Sequence, residues 1–149
     1  MTAEESKREY IKQKKSLKSE LVYYRDKIGK TNDDLYRINQ AINGIEGLLG
    51  EHESRYYSKA SIVAPYVDVT YYWWGETRYD FINRIYDELG ESFKVVFALT
   101  ELKDVMSEKK KELEETLKNL ICYRESIESE ISTCDRRIEE LNIILEGED

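Results

Sequence analysis

The sequence predicts an all-α protein, a long antiparallel two-helix hairpin of the coiled-coil type, and three observations support this prediction. Charged residues make up 36% and hydrophobic residues 40% of the 149 residues, with 7 Gly and one Pro. Such a composition favours long helices over sheet. Apolar residues recur at alternating spacings of three and four on both sides of the chain's middle, and the pattern stops around Pro65. The length allows a single domain, residues 1–149.

The first helix is predicted over about residues 3 to 62. Its seam, the row of residues that faces the other helix, has two polar interruptions, Lys14 and Thr31. Gly29, Gly44, Gly47 and Gly50 weaken the helix, each by up to about 1 kcal/mol relative to Ala. The other seam residues are Tyr10, Leu17, Leu21, Tyr24, Ile28, Leu35, Ile38, Ile42, Ile45 and Leu49.

A turn is predicted over about residues 63 to 73. Pro65 cannot donate a backbone hydrogen bond and does not fit inside a helix. It also favours extended geometry at Ala64.

The second helix is predicted over about residues 74 to 146. Its seam has the interruptions Glu88, Ser92, Lys110 and Arg124. A short link makes the two helices antiparallel, and this arrangement sets the basic start of the chain beside its acidic end. The apolar seam residues are Phe81, Ile85, Val95, Leu99, Leu102, Met106, Leu113, Leu117, Leu120, Ile127, Ile131, Cys134, Ile138, Leu141 and Leu145.

A second apolar ridge follows the seam one residue later in the second helix, and together they form an arc wider than one partner helix covers. Three coverings are open: residues 63–73 folding back, self-association into a four-helix bundle, or a different helical protein. We expect the third. The predicted partner-binding residues are Ile82, Tyr86, Leu89, Phe93, Val96 and Phe97, with Ala41, Gly44 and Leu48 from the first helix.

Charge and motif content indicate a non-catalytic protein. The net charge of -8 disfavours binding to nucleic acid and to anionic membranes. No apolar run is long enough to insert into a membrane, and no secretory signal is present, so we expect a cytoplasmic protein. His52 lies between Glu51 and Glu53 and is interpreted as a surface residue. No residues are spaced for catalysis, metal binding or a cofactor.

The predicted turn contains the run Tyr71-Tyr72-Trp73-Trp74-Gly75. Large rings can plug the open end of a hairpin, and Gly75 permits a tight backbone there. Trp73-Trp74-Gly75 is also a Trp-any-Gly motif at the turn of a helical hairpin, and in this it resembles the WXG superfamily of type VII secretion proteins of Gram-positive bacteria. With Phe81, Tyr86 and Leu89 following, the chain looks like the accessory proteins encoded beside LXG toxins.

The resemblance implies a chaperone or targeting factor that binds the helical N-terminal domain of an LXG toxin, alongside a second small helical accessory protein. Exported members carry an aromatic residue four positions before an acidic one, a spacing found in Tyr72…Glu76 and Phe97…Glu101. The C-terminal residues lack this spacing, which leaves both co-export with the toxin and a purely cytoplasmic role open. The alternative function is a self-associating coiled-coil scaffold or spacer, such as a homodimer.

Overall fold

The computed structural model describes residues 1–69 and 75–147, apart from the side chains of residues 62–69, 77 and 78. Over these residues the chain forms two helices, α1 (Ala3–Val69) and α2 (Glu76–Gly147), and no strand. The two helices pack against each other in antiparallel order, which confirms the predicted all-α hairpin.

Both helix ends next to the predicted turn differ from the prediction. Helix α1 continues through Pro65 to Val69 instead of ending near residue 62, and α2 begins at Glu76 instead of about residue 74. A proline removes one backbone hydrogen bond, and the helix continues across it because the neighbouring bonds remain. Gly75 has a φ of 70°, a left-handed conformation that glycine adopts easily and that lies outside helical geometry. Residues 70–74, most of the aromatic run, lie outside the described residues.

The start of α1 is fixed by a capping box. The Glu5 backbone N–H donates to Thr2 Oγ1 and the Thr2 backbone N–H donates to Glu5 Oε2, both at 3.2 Å. Two amide groups that lack helical partners are thereby satisfied, which stabilises the first turn.

The chain divides into two compact units. The terminal unit comprises Met1–Tyr36 and Lys111–Asp149, and the central unit comprises Arg37–Lys110. Each contains a stretch of α1 and a stretch of α2.

The terminal unit holds the most buried cluster of the described residues. Cys134 is only 2% exposed, and Leu17, Leu21 and Ile127 pack with it. Tyr10, Tyr24 and Ile131 lie against this cluster. All of these residues belong to the predicted seam, so the predicted pattern is confirmed here.

The two polar interruptions of the α1 seam are satisfied within the terminal unit. Lys14 forms an ion pair with Asp135 across the hairpin. The buried Thr31 hydroxyl donates to the Lys27 carbonyl oxygen at 2.9 Å. Because buried polar groups destabilise a protein mainly when unpaired, these contacts allow polar residues in the seam.

The central unit has a seam whose register differs from the prediction. Leu89, Val96 and Lys103 are half-buried, whereas Val95 and Leu102, both predicted in the seam, are exposed. Leu89, Val96 and Lys103 therefore replace the predicted Glu88, Val95 and Leu102, whereas the predicted positions between them are kept. The seam of α2 over this segment consists of Ile82, Ile85, Leu89, Ser92, Val96, Leu99, Lys103, Met106 and Lys110, with the predicted Phe81 half-buried beside Ile82.

Gly47→Ala is expected to raise the free energy of unfolding by about 0.4–1 kcal/mol, because alanine reduces the conformational entropy of the unfolded chain. A Cβ atom at Gly47 meets no atom within 4 Å, and the residue lies inside α1. Urea denaturation measures the change. Gly75→Ala is the control of opposite sign, because the φ of 70° at Gly75 is strained for alanine. A loss of stability in Gly47→Ala would contradict the free space at this position.

Candidate partner-binding surface

Four rings of the central unit form a continuous line from α1 to α2. The centroid distances are 5.5 Å from Tyr57 to Tyr56, 6.0 Å from Tyr56 to Phe93, and 6.4 Å from Phe93 to Phe97. These are the distances of directly interacting aromatic pairs. We call these four residues together with Tyr86 the aromatic flank.

Most of this surface is open to solvent. Tyr56 is half-buried, whereas the exposed fractions are 68% for Tyr57, 61% for Tyr86, 53% for Phe93 and 54% for Phe97. Single exposed apolar side chains are common on proteins, but contiguous ones mark interaction surfaces. Aromatic side chains are also enriched at protein interfaces.

The rings of α2 are aligned by the repeat of the helix. Tyr79, Tyr86 and Phe93 are seven residues apart, and seven residues make almost two whole turns. Tyr86 and Phe93 each follow a seam residue directly, so both lie on the same side of the seam. These three rings and Phe97 form a row along α2, which we call the aromatic ridge. From Tyr79 to Phe97 the aromatic ridge extends about 27 Å at ~1.5 Å per residue.

The structure divides the predicted partner-binding residues of α2 into two groups. Tyr86, Phe93 and Phe97 are exposed on the aromatic flank. Ile82, Leu89 and Val96 are half-buried in the seam that faces α1. The second group therefore serves the hairpin's own packing, because the seam passes through these three positions.

The predicted residues of α1 lie apart from these rings. Leu48 directly precedes the seam residue Leu49, whereas Tyr57 directly follows the seam residue Tyr56, so the two lie on opposite sides of the α1 seam. Ala41 is half-buried seven residues before Leu48, and Gly44 and Leu48 are exposed. The aromatic flank and the predicted α1 residues thus belong to two different surfaces.

Tyr56 and Tyr57 of α1 and Tyr79 of α2 also contribute rings here, and none of them was predicted as a binding residue. The seven-residue spacing of Tyr79, Tyr86 and Phe93 was a signal available in the sequence. The contact of Tyr56 with Phe93 could not be read from the sequence, because it depends on how the two helices are aligned.

The motifs that carry the family resemblance are only partly described. Tyr72, Trp73 and Trp74 lie outside the described residues, while Gly75 and Glu76 are exposed where α2 begins. Phe97 and Glu101 are both exposed on α2, one helical turn apart. Phe97 therefore belongs both to the aromatic flank and to the predicted export motif.

Within residues 1–69 and 75–147, no group of His, Cys, Asp and Glu side chains is placed to hold a metal. His52, predicted at the surface, is half-buried because it occupies a seam position of α1. The pKa of the exposed Lys27 is raised by a side-chain hydrogen bond to Tyr23, whose ring centroid lies 4.7 Å from Lys27 Nζ.

In the part of the chain that the structure describes, neither helix contains a segment apolar enough over its length to cross a bilayer. Comparisons with known proteins find no matching family, no similar curated protein and no similar solved structure.

Proposed function

We propose that this chain is a non-catalytic binding protein whose aromatic flank takes a helix of a partner protein, the N-terminal domain of an LXG-type toxin destined for type VII secretion. The observation that carries the binding role is the continuous line of four rings, three of them exposed, contributed by both helices of the central unit. The choice of partner depends on the resemblance of Trp73-Trp74-Gly75 and its surroundings to the WXG superfamily.

The shape of the ridge favours a helix over a compact ligand. A row of rings about 27 Å long runs parallel to α2. A helix laid alongside it presents side chains at the same seven-residue repeat, as in coiled coils. A small molecule would use only a fraction of this length and would prefer a concave site.

The chemistry of the ridge fits stable binding. Tyr and Phe bury a large apolar area but have only two side-chain torsions to order, so the entropy cost per contact is low. Replacing such residues commonly weakens an interface by 2 kcal/mol or more where they are central. In this function the chain shields the toxin's apolar helices before secretion and presents them to the secretion machinery.

The test is co-purification of the full chain with the helical N-terminal domain of an LXG toxin encoded beside its gene. We expect the wild-type chain to bind. Tyr86→Asp combined with Phe97→Asp should weaken binding by about 100-fold or more, because each substitution places a charge where the complex would bury a ring away from solvent. Circular dichroism should show unchanged helicity, since both side chains are exposed. Calorimetry on the purified pair gives the affinity.

Val105→Asp is the matched control. Val105 is 66% exposed on α2 in the central unit but lies off the ridge, so the substitution adds one of the double variant's two negative charges without removing a ring. Equal binding by the wild type and the double variant would defeat the aromatic flank as the binding site. The absence of any LXG toxin gene in the neighbourhood would count against the toxin as partner while leaving the binding surface open to test.

A further inference from the structure

The central unit has a groove on the other side of its seam. His52, Arg55 and Lys59 of α1 and Glu91, Ser92 and Val95 of α2 line an open space of about 280 Å³. Val95 directly precedes the seam residue Val96, whereas Phe93 directly follows the seam residue Ser92. The groove and the aromatic flank are therefore separate surfaces.

The residues that line the groove carry a net positive charge in an acidic chain. Among the lining residues only Glu91 carries a carboxylate, and this group pairs with Lys94 at 3.1 Å. Lys59 Nζ donates to Ser92 Oγ at 3.5 Å, a neutral partner that leaves its charge in place. No carboxylate of the described residues forms an ion pair with Arg55 or Lys59. The groove thus retains two cations, whereas the whole chain carries -8.

An apolar strip continues the groove. Leu48 lies seven residues before Arg55 on α1, and Leu102 lies seven residues after Val95 on α2. Seven residues are nearly two turns, so each leucine lies on the same side of its helix as the groove residue. Because the helices are antiparallel, both leucines lie beyond the same end of the groove. The exposed fractions are 49% for Leu48, 40% for Val95 and 43% for Leu102.

A complementary surface exists on the terminal unit. Ile143 is 64% exposed on α2. Glu139, Ile143 and Glu146 follow one another at spacings of four and three, so they form one stripe along the helix. Residues 111–149 contain twelve Asp and Glu against five Lys and Arg. The stripe therefore combines one exposed apolar side chain with two carboxylates in an acidic region.

We propose that the groove of one copy of this chain binds the Glu139–Glu146 stripe of a second copy. The carboxylates of Glu139 and Glu146 pair with Arg55 and Lys59, and Ile143, which lies between them on the stripe, packs against the apolar strip. This self-association uses a surface separate from the aromatic flank, so it does not depend on the proposed toxin partner. Because the ionic contacts lie at the surface, the association is salt-sensitive.

The experiment is sedimentation equilibrium of the full-length chain at low salt. We expect the mass of the wild type to rise with protein concentration. Raising the salt from about 0.1 to 1 M shortens the screening length from about 10 to 3 Å and should weaken the association. A wild-type chain that remains monomeric at low salt up to its solubility limit would overturn the proposal.

Two charge-reversed chains identify the surfaces. The groove variant carries Arg55→Glu and Lys59→Glu, and the stripe variant carries Glu139→Lys and Glu146→Lys. In each variant alone, the groove and the stripe carry charges of the same sign. We therefore expect its self-association to be weaker than that of the wild type by at least about tenfold. Mixing the two variants restores opposite charges at both contacts and should restore the mass of the wild-type assembly. A mixture that stays as weakly associated as the separate variants would refute the pairing.

Lys15→Glu combined with Lys18→Glu is the matched control, because it reverses two charges as the groove variant does. Lys15 lines a different basic groove, in the terminal unit, together with Ile11, Lys14 and Lys18. We expect this variant to associate like the wild type. If it lost as much self-association as the groove variant, acidic segments would be attracted to basic surfaces in general and not to the proposed groove. Tyr86→Asp with Phe97→Asp should also leave self-association unchanged. Toxin binding and self-association therefore succeed or fail separately.

Discussion

Ile127→Ala is expected to lower the free energy of unfolding by about 2–5 kcal/mol, the usual range for removing a large aliphatic side chain from a core. Ile127 is 7% exposed and packs in the cluster of Leu17, Leu21 and Cys134. The loss combines the lost burial of the side chain with the cavity left behind. Urea denaturation followed by circular dichroism measures it, with the slope of the transition checked for two-state behaviour.

Ile143→Ala provides the matched control for this prediction. The same residue type is replaced on the same helix, at a side chain that is 64% exposed. Its effect should stay within about 0.5 kcal/mol, as for surface substitutions in general. If the two variants lost similar stability, the cluster around Cys134 would not be the main source of packing energy in the terminal unit.

Leu89→Asp is expected to destabilise the central unit by about 2 kcal/mol or more, because it places a charge in the half-buried seam against α1. Leu102→Asp is expected to cost less than about 1 kcal/mol, because Leu102 is 43% exposed and outside the seam. The pair tests the observed register, since the same substitution is made at two leucines of the same helix. Hydrogen exchange of backbone amides in residues 37–69 and 75–110 would localise the loss to the central unit.

The opposite order of effects would indicate the register that the apolar pattern alone suggests, with Leu102 facing α1 and Leu89 facing outward. In that case a partner would contact Leu89 directly. Leu89→Asp would then abolish binding while leaving stability nearly unchanged, so thermal denaturation and partner binding together separate the two registers.

The difference in register has a physical cause. From Ile85 to Leu145 the half-buried and buried residues of α2 include one unbroken row whose spacings alternate between four and three. The register predicted from apolar residues places Val95 and Leu102 in the seam, and it then requires two successive spacings of four, from Leu102 to Met106 and from Met106 to Lys110. A continuous coiled-coil seam avoids such a shift of phase.

A polar residue can occupy the place that the unbroken seam requires. Lys103 is half-buried at this position, and its Nζ lies 3.4 Å from Glu46 Oε1. The aliphatic stem of a lysine can pack along a seam while its ammonium group reaches a carboxylate. For that reason a polar residue in the sequence was a poor guide to which side of α2 faces α1.

The sequence by itself determined the two helices, their antiparallel order and the terminal seam. Local periodicity predicts the helices, and in the terminal unit few apolar residues outside the seam compete with it for burial. The sequence did not determine which of two adjacent apolar rows in the central unit is buried, since Val95 and Val96 are adjacent residues of the same type and either could pack against α1. The tertiary structure decided that choice through the phase shared along the whole of α2. It also brought Tyr56 against Phe93, a contact between residues distant in sequence that exists only once the two helices are aligned.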